Sequence, residues 1–336
     1  MASETLDPAT IAALPEEGEV ISVTRHGETN WSTGKRVDVR VGDKITSYFL
    51  KVITVPEFVG AAQGEYEGQK ALSAVIPSHV IAPLAWGYFA QDDTKAWYLT
   101  YFRNLRPISM SRPPPLEHLL STVRNLHDNS VSPTGQFGFH VTPYYGAPPM
   151  IVDWTDNWEE FFTRDFRASI VYAQRTHGHI AGLQALADEF FDKVVPRLLR
   201  PLQTGGRRIK PSLCHGDLWD GNIQIDAESG EPVIFDPCPF YGHCEMDLQC
   251  MRRNRYTVGI GFVQMYGQVA ASEPREDFDD RNALYAIRND IMTAGMYPER
   301  LGCLADAKEE MRRLIAKHPE GLSSFGGDLT PTGKVC

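Results

Sequence analysis

The stretch Ser212–Asp236, SLCHGDLWDGNIQIDAESGEPVIFD, decides the fold that the sequence predicts. It contains two short apolar runs, Ile223–Ile225 and Pro232–Phe235, that are rich in residues favoured in strands. The turn-forming residues Ala227–Gly230 separate the two runs. Two apolar runs around such a turn predict a β-hairpin, which brings the beginning and the end of the stretch side by side.

Three polar residues stand at the two ends of this hairpin. Asp217 and Asn222 precede the first run, and Asp236 follows the second. Phosphoryl transfer from ATP requires an aspartate that accepts the proton of the attacking hydroxyl, together with an asparagine and a second aspartate that hold Mg²⁺. We therefore interpret Asp217 as the catalytic base and Asn222 and Asp236 as metal ligands. The alternative, that Asp217 and Asn222 only cap a turn, leaves this order of ligand types to coincidence.

The order and spacing of these residues resemble those of protein kinases, and the string HGDLWDGN at 215–222 is similar to the fructosamine-3-kinase (ketosamine-3-kinase) family. The string FGFH at 137–140 also resembles that family more than aminoglycoside phosphotransferases in general. So does the tryptophan pair Trp154 and Trp158, which leads into FF at 161–162. The resemblance implies an α+β, two-lobe, protein-kinase-like fold with a small antiparallel sheet lobe and a larger, mainly helical lobe.

A lysine and a glutamate upstream complete the kinase pattern. Strand alternation places Lys51 on one face with Phe49 and Ile53, where an unpaired ammonium is costly unless the strand lies at an edge facing water. The resemblance implies that Lys51 binds the α- and β-phosphates of ATP and pairs with a glutamate of the following helix. We choose Glu65, since Glu67 lies about 200° further around the helix.

The resemblance also implies an adenine site and an acceptor site. The strand that ends at Tyr101, Phe102 and Arg103 corresponds to the hinge, whose backbone binds adenine. His215 and Trp219 flank the base, so we place them at the substrate. Trp219 could stack on a sugar ring, or it could serve only as a wedge that fixes the loop.

The function implied by the resemblance is ATP-dependent phosphorylation of the O3 hydroxyl of ketosamines, with ATP and Mg²⁺ as cofactors. Ketosamines are sugar adducts formed by glycation of small amines or of protein lysines, and phosphorylation makes them unstable, so the reaction is a deglycation step. Two alternatives stay open. One is another small-molecule kinase of the aminoglycoside or choline phosphotransferase type, and the other is a pseudokinase that binds ligands without catalysis.

A second motif points to a different class of enzyme. The string RHGET at 25–29 resembles the signature of histidine phosphatases, whose histidine is phosphorylated. Consecutive strands are predicted after it, whereas that fold requires a helix, so we prefer a glycine-bearing turn over the ATP phosphates. Cys238, His243, Cys244 and Cys250 have the residue types of a zinc site, but their spacing does not fit one.

Composition restricts the partners and the setting. The net charge of −10 and the pI near 5.5 argue against nucleic-acid and membrane-surface binding. The sequence has no apolar run of membrane-spanning length and no secretory signal, and six cysteines in 336 residues are not a disulfide scaffold, so we expect a cytoplasmic protein. Some family members carry a redox-active cysteine in the glycine-rich loop. Because the first cysteine here is Cys214, we expect no such switch.

The predicted organisation has four parts. Residues 1–18 form a mobile or weakly helical start, and residues 19–103 form the ATP-binding lobe. Residues 104–317 form the catalytic and substrate lobe, and residues 318–336, rich in Gly, Ser, Thr and Pro, form a disordered tail.

Overall fold

The computed structural model of the chain describes residues 5–332. The predicted α+β fold with two lobes is confirmed. The smaller lobe contains one antiparallel sheet of five strands in the order β1-β2-β3-β5-β4. Its helices are α1 (Pro8–Ala12) and α2 (Ala61–Val75), and its strands are β1 (Glu19–Glu28), β2 (Ser32–Val41), β3 (Lys44–Ile53), β4 (Pro83–Phe89) and β5 (Asp92–Tyr101).

The two faces of this sheet follow the alternation of side chains in β3. Leu50 and Val52 belong to one face, which packs into a buried cluster with Val37, Trp97 and Leu99. Phe49, Lys51 and Ile53 belong to the opposite face, where Lys51 is paired in register with Tyr98 of β5. One face therefore holds the small lobe together, and the other carries the predicted lysine.

The N-terminal segment, expected to be mobile or weakly helical, contains a short helix in its described part. Within the described part of residues 1–18, α1 begins at Pro8 and is capped by the carboxylate of Asp7, which accepts from the Ala9 N–H at 2.9 Å. Leu6 and Leu14, on either side of this helix, are buried in the core of the small lobe. Burial of two leucines stabilises the segment, and the four-residue remainder lies outside the described residues.

Helix α2 contacts the large lobe through its backbone. A Cβ atom added at Gly64 would lie 2.9 Å from the carbonyl oxygen of Thr142, and one at Gly68 would lie 2.5 Å from Pro239. Glycines weaken a helix, so their presence here is explained by this close approach. The approach places α2, and with it Glu65, beside loops of the large lobe.

The large lobe is mainly helical. Its core is built around α4 and α7, with the completely buried side chains of Trp158, Phe162 and Tyr285 among its members. The helices of this lobe are α3 (Leu116–Asn129), α4 (Trp158–His177), α5 (Leu183–Leu199), α6 (Ile260–Ala270), α7 (Phe278–Met296) and α8 (Leu301–Lys317).

Five short strands support the site. The predicted hairpin is present: β8 (Ile223–Asp226) pairs with β9 (Pro232–Ile234) in antiparallel register, with Ile223 opposite Ile234. Strand β6 (Leu105–Pro107) adds to the other edge of β8, directly after the crossing between the lobes. A second pair of strands, β7 (Ser212–Cys214) and β10 (Phe240–Gly242), lies at the base of the loop that carries Asp217.

The C-terminal segment differs from its prediction. The ring of Phe325 lies 5.2 Å from the guanidinium carbons of both Arg197 and Arg207. The N–H of Gly205 donates to the carbonyl of Thr330 at 2.8 Å. Residues 318–332 are therefore packed onto the large lobe rather than disordered, and residues 333–336 lie outside the described part of the chain. Across residues 5–332, no helix is both long and apolar enough to cross a membrane.

Candidate active site

The loop before β8 brings together the three polar residues predicted from the hairpin. The side-chain Nδ2 of Asn222 donates to Asp217 Oδ2 at 3.0 Å and to the main-chain carbonyl of Asp236 at 3.3 Å. Asp217 and Asn222 are thus adjacent, and Asp236 begins the turn that leaves β9. The predicted convergence of Asp217, Asn222 and Asp236 is confirmed.

Asp236 has an unusual backbone conformation. Its φ of 59° lies in the left-handed region, and among the described residues it is the one non-glycine residue with a positive φ. A non-glycine side chain in this region costs conformational energy, which the surrounding packing must offset. The consequence is that the carboxylate turns toward the small lobe, where Lys51 contacts it.

Lys51 links the two lobes. Its Nζ donates to Glu65 Oε2 at 2.7 Å and to Asp236 Oδ1 at 2.5 Å. The predicted ion pair between Lys51 and Glu65 is therefore present. Glu67 lies elsewhere, since its Oε2 is 3.3 Å from His140 Nε2 and 3.8 Å from Lys70 Nζ.

One ammonium group serves two carboxylates in this cluster. Burial and the negative charge of Asp236 raise the pKa of Glu65 well above its ordinary value. Burial alone would also raise the pKa of Asp236, but the charge of Lys51 holds it below the ordinary value. The two carboxylates repel each other, and this repulsion favours binding of a proton or of a further cation at the cluster.

Asp217 has the properties of a general base. Burial, with the nearby charge of Asp236 adding to it, raises the pKa of Asp217 to about 7, although hydrogen bonds from Tyr145 and Asn222 lower it. A carboxylate with a pKa near neutral accepts a proton from a hydroxyl more readily than an ordinary aspartate does, while it remains substantially ionised near neutral pH.

A buried carboxylate fixes the loop of Asp217 from behind. Asp247 accepts from the backbone N–H groups of His215 at 2.9 Å and Gly216 at 2.7 Å. Its Oδ2 also lies 3.0 Å from Nε2 of His127, whose Nδ1 is 2.8 Å from the hydroxyl of Tyr266. Asp247 therefore holds the loop in place, and His127 packs behind it.

The prediction that His215 contacts the substrate is wrong. The residue is completely buried, and its Nε2 lies 2.9 Å from the carbonyl oxygen of Phe235. Its Nδ1 accepts from the Asp217 N–H at 3.3 Å. Burial lowers the pKa of the imidazole, so His215 is neutral near pH 7. It positions the loop and the strand β9 relative to each other.

Two cavities meet at the Lys51 cluster. The first, here called the aromatic cavity, extends from Asp217 into the large lobe. It is lined by Thr29, Trp31, Lys51, Ile53, Ala61, Glu65, Tyr144, Tyr145, Gly146, Asp217, Trp219, Asn222, Asp236, Pro237, Tyr256, Thr293, Met296, Tyr297 and Arg300. Trp219, with 39% of its surface exposed, lies 6.1 Å from the ring of Tyr256, which places it on the cavity wall as predicted.

The second cavity, here called the glycine-turn cleft, lies under the turn between β1 and β2. It is lined by His26, Gly27, Glu28, Thr29, Ser32, Gly34, Phe49, Lys51, Glu65, Gln69, Ile81, Tyr98, Thr100, Phe235 and Asp236. It is the less polar of the two, and it shares Thr29, Lys51, Glu65 and Asp236 with the aromatic cavity. A ligand in the cleft would therefore place one end beside Asp217.

The three predicted hinge residues lie outside the lining of this cleft, whose nearest member on β5 is Thr100. The backbone N–H of Phe102 donates to Ser47 at 2.9 Å, so it is not available to adenine. The ring of Tyr101 stacks on Tyr48 with 5.6 Å between centroids. Arg103 Nε donates to Asp226 Oδ2 at 2.6 Å. Arg103 is thus a structural link to the hairpin, because a carboxylate of β8 lies next to it.

The RHGET string lies on β1 and in the turn that follows. Arg25 pairs with Glu28 on the exposed surface, and His26 packs edge-on against Phe102 at 4.9 Å. The motif is followed by β2 and no helix, and His215 is buried beside the hairpin. The geometry of a histidine phosphatase is therefore not formed by these residues.

The residues present fit a divalent cation bound with a phosphate ligand. Asn222 uses its amide nitrogen for Asp217, which leaves the oxygen Oδ1 for a ligand in the aromatic cavity. The Asp236 carboxylate lines both cavities, and carboxylate and amide oxygens are the ligands that Mg²⁺ prefers. Asn222 and Asp236 are the residues that would hold the ion.

Most residues that line the aromatic cavity were not among those predicted from the sequence. Trp31, Tyr144 and Tyr297 come from three segments that are distant in sequence. Phe137 and Phe139 of the FGFH string are buried and line neither cavity. A usable signal was the pair Tyr144-Tyr145 directly before Gly146, because an aromatic pair in a glycine- and proline-rich loop often marks a binding surface.

A five-stranded lobe with a Lys–Glu pair, placed over a helical lobe with a base, an asparagine and a second aspartate, defines the class of kinase-like phosphotransferases. Comparison with known proteins narrows the class. The family model described as fructosamine kinase matches residues 16–316. The chain belongs to the fructosamine kinase family.

Curated relatives share the sequence to different extents. Ketosamine-3-kinase of Mus musculus is 38% identical over 114 residues, which cover 34% of this chain and 34% of that protein. A ketoamine kinase of Synechocystis is 35% identical over 156 residues, which cover 46% of this chain and 48% of that protein. The chain thus spans less than half the length of these relatives. A ketoamine kinase of Enterococcus faecium is 31% identical over 88% of this chain and 96% of its own length.

Solved structures share the fold. A crystal structure described as a fructosamine-3-kinase from Haemophilus somnus has a TM-score of 0.68 and 16% identity, and the match covers 89% of this chain and 92% of that one. An aminoglycoside phosphotransferase, APH(4)-Ia, in complex with AMP-PNP and hygromycin B, has a TM-score of 0.61 and 14% identity. That match covers 93% of this chain and 98% of the other.

Proposed function

We propose that the protein is an ATP-dependent ketosamine kinase that phosphorylates the O3 hydroxyl of ribulosamine or fructosamine adducts. One observation supports this most directly. The aromatic cavity and the glycine-turn cleft share the Lys51, Glu65 and Asp236 cluster, and Asp217 stands on the aromatic side of it. This arrangement suits a phosphate donor in the cleft and a hydroxyl acceptor in the cavity.

The roles of the residues follow from their positions. Asp217 accepts a hydrogen bond from the acceptor hydroxyl and takes its proton, which the pKa of about 7 permits. Asn222 keeps the carboxylate in place through its contact of 3.0 Å. Lys51, oriented by Glu65, binds phosphate oxygens. Trp219 and the other rings of the cavity exclude water and offer flat apolar faces to a sugar.

The nucleotide and the metal belong to the same proposal. Mg-ATP supplies the phosphoryl group and neutralises the charge that develops on its oxygens. Asn222 and Asp236 are the residues that we assign to the metal. The glycine-turn cleft, with the apolar side chains of Phe49, Ile81 and Phe235, suits a planar base. We do not assign adenine contacts to Tyr101, Phe102 or Arg103, because none of the three lines the cleft and because the Phe102 N–H and the Arg103 guanidinium are engaged elsewhere.

The acceptor class rests on family membership. The curated relatives carry the names ketosamine, ketoamine and ribulosamine kinase. Small ketosamines or glycated proteins are therefore the proposed partners, and we propose a cytoplasmic setting for the reaction. A different small-molecule acceptor, such as an aminoglycoside, is the second candidate, because the fold is shared with APH(4)-Ia.

Transfer of labelled phosphate from Mg-ATP to a small ribulosamine or fructosamine tests the proposal. The wild type is expected to transfer phosphate, and Asp217→Ala is expected to lose the activity by about a thousandfold or more, since the base and its alignment are removed together. Transfer to an aminoglycoside but to no ketosamine would replace the acceptor class. ATP binding without transfer to any acceptor would favour a non-catalytic binding module.

A further inference from the structure

The aromatic cavity contains one cation that the proposed mechanism does not use. Arg300 lines this cavity, and its guanidinium carbon lies 4.7 Å from the centroid of the Tyr297 ring. The residue is exposed, and within residues 5–332 its guanidinium forms no ion pair with a carboxylate. Lys51, the other cation of the cavity, is committed to Glu65 and Asp236.

Arg300 also lines a shallow outer cavity beyond Trp219. That cavity is formed by Trp219, Asp220, Arg255, Tyr256, Arg300, Gly302, Cys303 and Asp306. Two of its charged groups are already satisfied. Arg255 donates to Asp290 at 2.8 Å, and the carboxylate of Asp220 accepts from the backbone N–H groups of Thr257 and Val258.

The geometry favours an anion at Arg300. The guanidinium lies within cation–π distance of the Tyr297 ring, an arrangement in which the N–H edges of an arginine stay available for hydrogen bonds. Those edges match a carboxylate or a phosphate in a two-point hydrogen bond. The guanidinium stands where the aromatic cavity opens into the outer cavity, so it meets whichever end of an acceptor extends outward from Asp217.

We propose that Arg300 is a specificity-determining residue that binds an anionic group of the acceptor, so that the enzyme prefers ketosamines that carry a carboxylate or phosphate over neutral ones. The inference rests on the proposed ketosamine kinase activity and adds the charge class of the substrate. The anion has two possible sources, a carboxylate on the amine carrier and a phosphate on the far end of the sugar.

Matched acceptors test the inference. Fructosyl-glycine and fructosyl-glycinamide differ only in the carboxylate. For the wild type, kcat/KM is expected to be about fivefold higher with the glycine adduct, a modest factor because Arg300 is exposed to solvent. In Arg300→Gln the preference should fall below twofold, because the rate on the glycine adduct falls more than the rate on the amide adduct, and Arg300→Lys should retain part of the preference.

Two further arms complete the design. Arg312→Gln removes an exposed arginine of α8 that lines neither cavity, and it should leave the preference unchanged. The 6-phosphate of fructosyl-glycinamide examines the second source. A preference for it over fructosyl-glycinamide that depends on Arg300, without a preference for the carboxylate, would place the anion on the sugar.

The results separate this inference from the proposed function. Equal rates on all three adducts, or an equal loss on all of them in Arg300→Gln, would overturn the role of Arg300 and leave the kinase activity established. Absence of transfer to any ketosamine by the wild type would overturn both.

Discussion

The ring of Trp31 lies 6.2 Å from the ring of Tyr297. Trp31 stands in the turn between β1 and β2, whereas Tyr297 directly follows α7, so the contact joins the glycine-bearing turn of the small lobe to the wall of the aromatic cavity. Gly146 lies against the ring of Trp31, since a Cβ atom added at Gly146 would lie 2.8 Å from that ring. The turn that covers the cleft therefore also forms part of the proposed acceptor site.

Replacing Trp31 should weaken acceptor binding more than nucleotide binding. Trp31→Ala removes an aromatic wall, so the KM for a ketosamine is expected to rise about tenfold, while the Kd for ATP without acceptor stays within about twofold. Steady-state kinetics and calorimetry provide the two numbers. Trp86→Ala, on β4 and outside both cavities, is the control. A larger effect on ATP than on the acceptor would assign Trp31 to the nucleotide alone.

The activity should depend on pH through Asp217. Burial raises its pKa to about 7, and the base acts only when ionised. The acceptor kcat/KM is therefore expected to fall tenfold per pH unit below that pKa and to level off above it. Measurement between pH 5.5 and 9 gives the profile. The residual activity of Asp217→Asn should not show this fall at low pH. A flat wild-type profile would show that ionisation of Asp217 does not limit the reaction.

Two glutamates on α2 form a matched pair of variants. Glu65→Gln removes the charge that orients Lys51, so the KM for ATP is expected to rise and kcat to fall, each by about tenfold. Glu67→Gln changes a residue two positions away whose partners are His140 and Lys70, and both constants should stay within about twofold. Comparable losses in the two variants would contradict the assignment of Glu65.

Arg103 should affect stability rather than nucleotide binding. Burial would raise the pKa of Asp226, but hydrogen bonds from Ser229 and Arg103 hold it at about 2. Its folded-state pKa is thus below the unfolded value, so the stabilisation is present above about pH 4 and is lost as the pH falls toward 2. Arg103→Met should lower the free energy of unfolding by about 1–2 kcal/mol at pH 7, and by less near pH 3.

Denaturant unfolding at the two pH values, together with the KM for ATP, checks this prediction. Arg106→Met, which removes an exposed arginine of β6, is the control and should change neither quantity. A rise in KM for ATP in Arg103→Met at unchanged stability would restore the interpretation of Arg103 as a nucleotide contact.

The parts of the site that the sequence predicted correctly depend on local geometry. Asp217, Asn222 and Asp236 lie within one hairpin, so the turn alone brings them together. Lys51 and Glu65 could be paired because strand alternation and helical periodicity each select one face. Short-range rules of this kind operate without knowledge of how the lobes pack.

The parts that were missed depend on packing between distant segments. Trp31, Tyr144 and Arg300 meet at the aromatic cavity, although more than a hundred positions separate each from the next. The error at His215 has a similar cause. A histidine beside a catalytic aspartate can face the solvent or the core. Here the ring of His215 contacts the carbonyl of Phe235, and its backbone N–H donates to Asp247, so the residue faces the core.

The termini show the limit of composition as a guide. Residues 318–332 have the small and polar residues of a disordered tail, but one aromatic side chain is enough to change the outcome. Phe325 fits between Arg197 and Arg207 and anchors the segment. At the other end, Leu6 and Leu14 do the same for the first turn of structure.

The contacts of Asp247 attach one part of the site to the large lobe, whereas the other part belongs to the small lobe. Asp217 is tied through Asp247 to α3 of the large lobe, whereas Lys51 and Glu65 are carried by the small lobe. A rotation of one lobe against the other would therefore leave the base in place and displace the ammonium. The distance between Lys51 and Asp236 would change with such a rotation, so a pair of spectroscopic probes placed across this gap would measure it.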